Sequence, residues 1–180
     1  MELSIRDATP EDAAAIAEVH VRSWRSAYRG MIPVEVLDAL SVVQRERNWR
    51  ERLLLATTAD AIPFTLVAEL AGAVRGFCNV SRLDADAEAT IGALYLEPAH
   101  LRAGIGSALL ATALARLRDA GRDDVVLWVL EENRAARAFY ERFGFAADGA
   151  RERLVGAPEI RMRVSLASSV SVSPNLTQEL

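Results

Sequence analysis

The chain has 180 residues, 51% of them hydrophobic and 26% charged. That is enough for one domain with a sizeable core, too short for two ordinary ones, and poorly matched to wholesale disorder. Its 25 acidic against 21 basic residues give a net charge of -4, so no nucleic-acid partner is expected. The one cysteine, Cys78, excludes an intrachain disulfide and a multi-cysteine zinc site. The residues from Met1 to Asp7 carry no leader pattern, and no apolar run of about 18 residues occurs. A cytoplasmic protein with no membrane partner and no metal is therefore expected.

Leu3 to Asp7 opens the chain as a short strand. Thr9-Pro10-Glu11-Asp12 then supplies a capping hydroxyl, a first-turn proline and early acids, so a helix starts there and runs to about Arg29, with Ile16, His20, Trp24 and Tyr28 at intervals of four on one stripe. Pro33 opens a second helical pattern through Leu37 and Leu40, and Arg45 to Leu55 forms a third, its arginines reading as a solvated face. From Pro63 the period changes to that of strands. Phe64–Leu70 and Val74–Val80 flank Ala71-Gly72 as a hairpin, Leu83–Glu88 is a polar loop, and Thr90–Leu96 is a third strand stopped by Pro98. Ile105 to Gly121 has the strongest helical spacing in the chain. Val125–Leu130 is a nearly continuous apolar run, as in a strand covered on both faces. Asn133–Phe143 is helical, Phe145–Ala147 and Glu159–Val164 are the last strands, and the serine-rich tail 167–180 is expected to be disordered. The segment from Thr90 to Leu130 requires a right-handed crossover between two parallel neighbours, which makes this a mixed α/β layer fold.

Two segments could carry chemistry. His100 to Ser107 lies between a strand end and a helix start, where unpaired amides and the helix dipole favour a phosphate, and Arg102 adds a mobile charge. Gly104 and Gly106 would serve equally well as a tight turn. In the second segment, Asn133 and Tyr140 are seven residues apart, about 10 Å of helix axis, so an amide and a phenol share one stripe. A helix cap and a packing tyrosine are the plainer uses of the same residues.

Together these segments resemble the GNAT superfamily of acetyl-CoA-dependent N-acetyltransferases, in a small bacterial-type form. The resemblance covers about Leu3 to Leu166. Gly-Ile-Gly-Ser-Ala-Leu-Leu from Gly104 to Leu110 is similar to the family's cofactor motif, and Asn133 through Phe145 to its second motif. Ser23 to Pro33 is similar to an opening frequent among small bacterial members. The resemblance implies a single domain over residues 3–166 with a GNAT fold of class α/β (α+β mixed): a central, mostly antiparallel sheet with two splayed parallel strands, flanked by helices. It implies that acetyl-CoA is the acyl donor and that its pantetheine arm pairs with the backbone of Leu94, Tyr95 and Leu96. The loop Arg102, Ala103, Gly104, Ile105, Gly106 and Ser107 would hold the diphosphate. Asn133 would bond the arm, and Tyr140 would face the sulfur as the catalytic proton donor.

The implied activity is transfer of acetyl to a primary amine of a small molecule or peptide N-terminus by direct attack. A homodimer is compatible with the family. Two positions depart from the pattern: Leu101 stands where relatives carry Gln or Arg, and Thr90 where many carry glutamate. The general base is accordingly open among Glu69, Asp84, Glu88 and Glu97. Trp24 and Tyr28 either line the acceptor pocket or pack in the core. His20, His100 and Cys78 read as structural or surface residues. The alternatives are an acetyl-CoA-binding sensor or assembly module without turnover, and a nucleotide-binding protein that uses only the glycine loop.

Overall fold

A computed structural model describes residues 2–55, 63–82 and 88–167. Asp84 with the rest of 83–87, and the tail beyond Ala167, lie outside them. Strand β1 (Leu3–Asp7) leads through a 3-10 turn at Pro10–Asp12 into helix α1 (Ala13–Ala27). The turn is locked from both sides: the Thr9 N–H donates to the Asp12 carboxylate at 2.8 Å, and Arg6 on β1 grips that carboxylate at 2.7 and 2.9 Å. Helix α2 (Val34–Asp38) is short. Helix α3 (Val42–Leu55) starts three residues before the expected Arg45, where the Gln44 N–H finds the Ser41 hydroxyl at 3.2 Å.

Strands β2 (Phe64–Leu70) and β3 (Ala73–Arg82) form the expected hairpin, with positive φ at Ala71 and Gly72 as a two-residue turn matching strand twist requires. Strand β4 (Glu88–Leu96) includes Glu88, expected in a loop, because Glu88 already pairs with Asp124. Helix α4 (Ile105–Asp119), strand β5 (Asp124–Leu130), helix α5 (Arg134–Glu141) and strands β6 (Ala146–Leu154) and β7 (Ala157–Ser165) complete the order. The sequence suggested only three residues for β6. The strand is nine residues long, an exposed edge rich in Arg and Glu that has no apolar alternation to betray it.

The seven strands lie in the order β1-β2-β3-β4-β5-β7-β6, and only β4 and β5 run parallel. Helices α4 and α5 cover one face, where Ile105, Leu109, Leu110 and Leu117 pack on Leu66, Ile91, Leu127 and Met162. Helices α1 and α3 cover Val67 and Phe77 on the other face, and α1 and α2 gather Trp24, Leu37 and Leu130 there. No helix among the described residues is long and apolar enough to cross a membrane.

The feature that positions the site is a fork. β4 and β5 are paired from Glu88↔Asp124 to Ile91↔Leu127 and no further. The pairing of β4 with β3 slips at the same point, from Val80↔Ile91 to Asn79↔Ala93, leaving Gly92 as an extra residue. Such a bulge bends its strand and increases local twist. Beyond it β4 follows β3 while Trp128–Leu130 of β5 follow β7, so the inner edges of Ala93–Leu96 and Trp128–Leu130 face each other without a ladder. A Cβ at Gly92 would lie 3.3 Å from Asn79 Oδ1 and 3.4 Å from Ser81 Oγ, a tight fit that favours the smallest residue at the bulge.

Candidate active site

The loop entering α4 lies on the α4/α5 side of this fork. Arg102 and Gly104 both have positive φ, 61° and 81°, a curled backbone that turns successive amides outward. A left-handed non-glycine residue costs about 1–3 kcal/mol and tends to mark a functional loop. The backbone N–H groups of residues 102–107 find no acceptor among the described residues, and Gly104 caps α4 without a side-chain bond. The two glycines do different work. A Cβ on Gly104 would meet nothing within 4 Å, so that position is kept for conformation and open approach. A Cβ on Gly106 would lie 3.2 Å from Leu96 and 3.6 Å from the Phe139 ring, so that glycine lets α4, β4 and α5 meet.

Asn133 caps α5, its Oδ1 accepting from the Ala136 N–H at 3.1 Å. Its Nδ2 donor has no partner among the described residues. Two turns on, Tyr140 packs among the α5 aromatics, 5.2 Å from Phe139 and 5.9 Å from Phe145 between ring centroids. Its hydroxyl bonds to no described residue. Burial, with smaller contributions from Tyr95 and Cys78, pushes its pKa above the ordinary phenol value; the group is protonated at neutral pH and has a proton to donate. Cys78, fully buried on β3, is pushed up to about 12 by burial and is no nucleophile. On β4 the Leu96 carbonyl accepts from the Ser23 hydroxyl, and the Tyr95 side chain points to the opposite face of the sheet.

Residues 15–145 match the Acetyltransferase (GNAT) family. The chain belongs to that family of acyltransferase enzymes. It is 31% identical over 144 residues to YuaI of Bacillus subtilis, an N-acetyltransferase itself uncharacterized, covering 78% of this chain and 79% of that one. It is 26% identical over 151 residues to the spermidine N(1)-acetyltransferase of Thermoplasma acidophilum, covering 82% and 91%. Its fold superposes with a TM-score of 0.75 on PaiA N-acetyltransferase from Thermoplasma acidophilum in complex with coenzyme A, at 24% identity over 92% of this chain and 99% of that one. In this GNAT protein the unpaired amides, the open approach at Gly104 and the unbonded Asn133 amide suit a long anionic ligand of the coenzyme A type.

The opposite face of the GNAT fork carries an aromatic cluster. Tyr28 and Tyr95 share a hydrogen bond at 3.0 Å between hydroxyls. His20 stacks on Tyr95 at 4.9 Å and accepts from the Trp49 indole at 3.1 Å through Nδ1. Burial, then Arg45 and Arg52, lowers His20 to about 3, so it is neutral. Trp24 is buried with Leu37 and Leu130, and its indole N–H has no acceptor among the described residues. The arginines of α3 are less solvated than their sequence suggests: Arg45 sits over Trp24 at 5.3 Å, and Arg52 lies over Trp49 at 5.0 Å and donates to the buried Asn79 at 3.0 Å.

The carboxylates considered for a base are engaged. Glu69 is held by Arg6 at 3.1 Å, Glu97 by Arg22 at 2.8 Å and Glu88 by Arg163, while Asp84 lies outside the described residues. Thr90 is buried with an unbonded hydroxyl, and Leu101 is exposed. The acid that the sequence reading missed is Glu159 on β7, only 9% exposed. It stands directly opposite Leu130 on one side and Glu152 on the other. In the sequence it is one acid in a run of charges, and only the strand register brings it to the fork.

Proposed function

We propose that this chain is an acetyl-CoA-dependent N-acetyltransferase acting, through a domain of residues 3–166, on a primary amine of a small molecule or peptide N-terminus by direct attack. The observation that carries this reading is a coincidence at one fork: unladdered strand edges, outward amides at a helix start, and a protonated phenol with no partner. Acetyl-CoA would supply the acetyl group as a thioester. The amides of 102–107, with the Arg102 guanidinium, bind the diphosphate; the edge of Leu94–Leu96 and the Asn133 amide orient the arm. Tyr140 donates its proton at the departing sulfur. Cys78, with a negligible thiolate fraction, offers no route through an acyl-enzyme. The named activity of the spermidine acetyltransferase relative supports a small-molecule amine.

An alkyl amine of pKa about 10.4 is neutral in only about 1 molecule in 2,500 at pH 7, so the site must also accept a proton. Leu101 and Thr90 favour a second reading, an acetyl-CoA-binding module without turnover. Thiol release from acetyl-CoA across an amine panel, with mass detection of products, separates the two. Amine-dependent release with an acetylated product supports the enzyme; tight coenzyme A binding with no release from any amine supports the module. Equal competition by ATP for the site would instead indicate a nucleotide-binding loop.

A further inference from the structure

Glu159 is a largely buried carboxylate on the α1 face beside the open end of the fork; among the described residues no cation holds it, and the carboxyl it meets is that of Glu152, opposite it on β6 and within hydrogen-bonding reach. A buried charge without a partner is costly, so such a group is either neutralised or kept for a cation from outside. Its surroundings favour the second. Tyr95 of β4, Leu130 of β5 and Glu159 of β7 form a row across the fork on that face, and the charge of Glu159 is felt at the hydroxyls of both Tyr95 and Tyr28. Beside it lies a small cavity of about 30 Å³ lined by Met31, Leu130, Glu132, Ala157 and Pro158. The cavity is aliphatic apart from Glu132, Tyr28 and Tyr95 pack against the same Leu130 cluster, and Tyr140 belongs to the core on the other side of the sheet.

Resting on the function proposed above, we infer that Glu159 is the catalytic residue on the acceptor side: it receives the ammonium of an aliphatic primary amine and takes its proton. The acceptor then enters on the α1 face, and the thiol leaves on the α4/α5 face. The ammonium loses one proton to Glu159, which releases it to solvent. The freed lone pair attacks the thioester carbonyl, the N–C bond forms, and the C–S bond breaks with its electron pair on sulfur. Sulfur takes the Tyr140 proton, and the second proton lost from nitrogen restores the phenol. One proton in all is released.

The electrostatics agree. Burial, followed by the facing Glu152, lifts the Glu159 carboxyl to about 7, which narrows its gap to the amine while leaving it largely ionised just above neutrality. The facing groups are Glu152 from β6, Tyr28 at the C-terminal cap of α1, Tyr95 from β4 and, at the cavity, Glu132. The guanidiniums at nearby positions are occupied: Arg151 by Glu131, Arg161 by Asp148 and Arg153 by the Gly156 carbonyl.

The test uses n-butylamine as acceptor probe with acetyl-CoA, in the wild type, Glu159→Gln and Glu159→Asp. The wild type is expected to show a plateau in kcat/KM between a limb near pH 7 and one near the amine pKa. Glu159→Gln is expected to lose about 100-fold or more in kcat and the lower limb, leaving a rate that climbs with the free amine; Glu159→Asp restores part of the rate. Equal rates and equal pH profiles overturn the assignment. A wild type that binds coenzyme A by calorimetry yet fails to acetylate n-butylamine also counts against it, whereas no coenzyme A binding at all counts against the underlying function. A cofactor-free readout stands beside these. A carboxyl whose folded pKa is raised favours folding below its unfolded value of about 4.3 and loses that stability as pH rises through its folded value. The Tm of Glu159→Gln should therefore exceed that of the wild type increasingly between about pH 5 and pH 8. An unchanged difference over that window overturns the buried, cation-free state on which the inference stands.

Discussion

The two sides of the β4/β5 fork are built on opposite principles. On the α4/α5 side the groups offered to a ligand are backbone: amides left over at a helix start and strand edges left over where a ladder stops. On the α1 side they are side chains brought from α1, β4, β5 and β7 by tertiary packing. Backbone donors are lost only to proline and are otherwise bent or obstructed rather than exchanged, which suits a ligand shared across a family. Side chains can be exchanged singly, which suits the side that must recognise a particular acceptor. The lesson is that one fold can hold its donor fixed while its acceptor chemistry varies.

The comparison can be broken most strongly at Gly76, behind the fork. A side chain there would press on Leu96, on the Tyr95 carbonyl at 3.1 Å and on Leu109 at 3.3 Å. Gly76→Val is expected to destabilise by about 1–3 kcal/mol in urea unfolding and to weaken both sides together. An undisturbed variant would mean that the β3–β4 approach does not shape the fork.

Tyr140→Phe should act on one side alone. It is expected to lower kcat by about tenfold or more with coenzyme A affinity unchanged, because only the departing sulfur feels the lost proton. Unchanged turnover removes the phenol from the reaction. Gly104→Asp should complement it, weakening coenzyme A by about tenfold through charge at the helix start, less so in high salt. A Cβ at Gly104 meets nothing within 4 Å, but φ of 81° strains any side chain there by about 1–3 kcal/mol, so Gly104→Ala, which carries the strain without the charge, is measured beside it; equal affinity of both variants and the wild type in calorimetry would count against the loop.

The smallest effect sharpens the picture at Asn133. Asn133→Ala loses the cap bond to Ala136 and about 1 kcal/mol of stability. Asn133→Asp keeps the cap but not the amide donor, so it should retain stability while weakening coenzyme A. If both variants bind equally well, Asn133 is a cap and nothing more.

How far the sequence revealed each side follows from the same contrast. The strand-to-helix glycines and the Asn133 to Phe145 segment are local patterns, and both lie where they were expected beside the fork. The parallel pair was legible from the crossover rule. The abrupt end of its ladder was not, because it depends on Gly92, which reads as an ordinary strand residue until β3 is laid beside it. Glu159 was hidden for a related reason. Edge strand β6 is so polar that seven of its nine residues went unrecognised, and without the β6–β7 and β5–β7 registers nothing separates Glu159 from Glu152 or Arg161. The candidate bases suggested by sequence were near the sheet, but Arg6, Arg22 and Arg163 had already claimed three of them.

The central claim is that coenzyme A lies in the fork with its phosphates on the amides before α4. Backbone amide NMR during titration with coenzyme A tests it most directly. The account predicts saturable shifts at residues 94–96 and 102–107 and at Asn133. Shifts confined instead to the charged groove of about 380 Å³ between α1 and the β2–β3 turn, lined by residues such as Arg6, Glu18, Arg22 and Arg75, with the 102–107 amides unmoved, would contradict it.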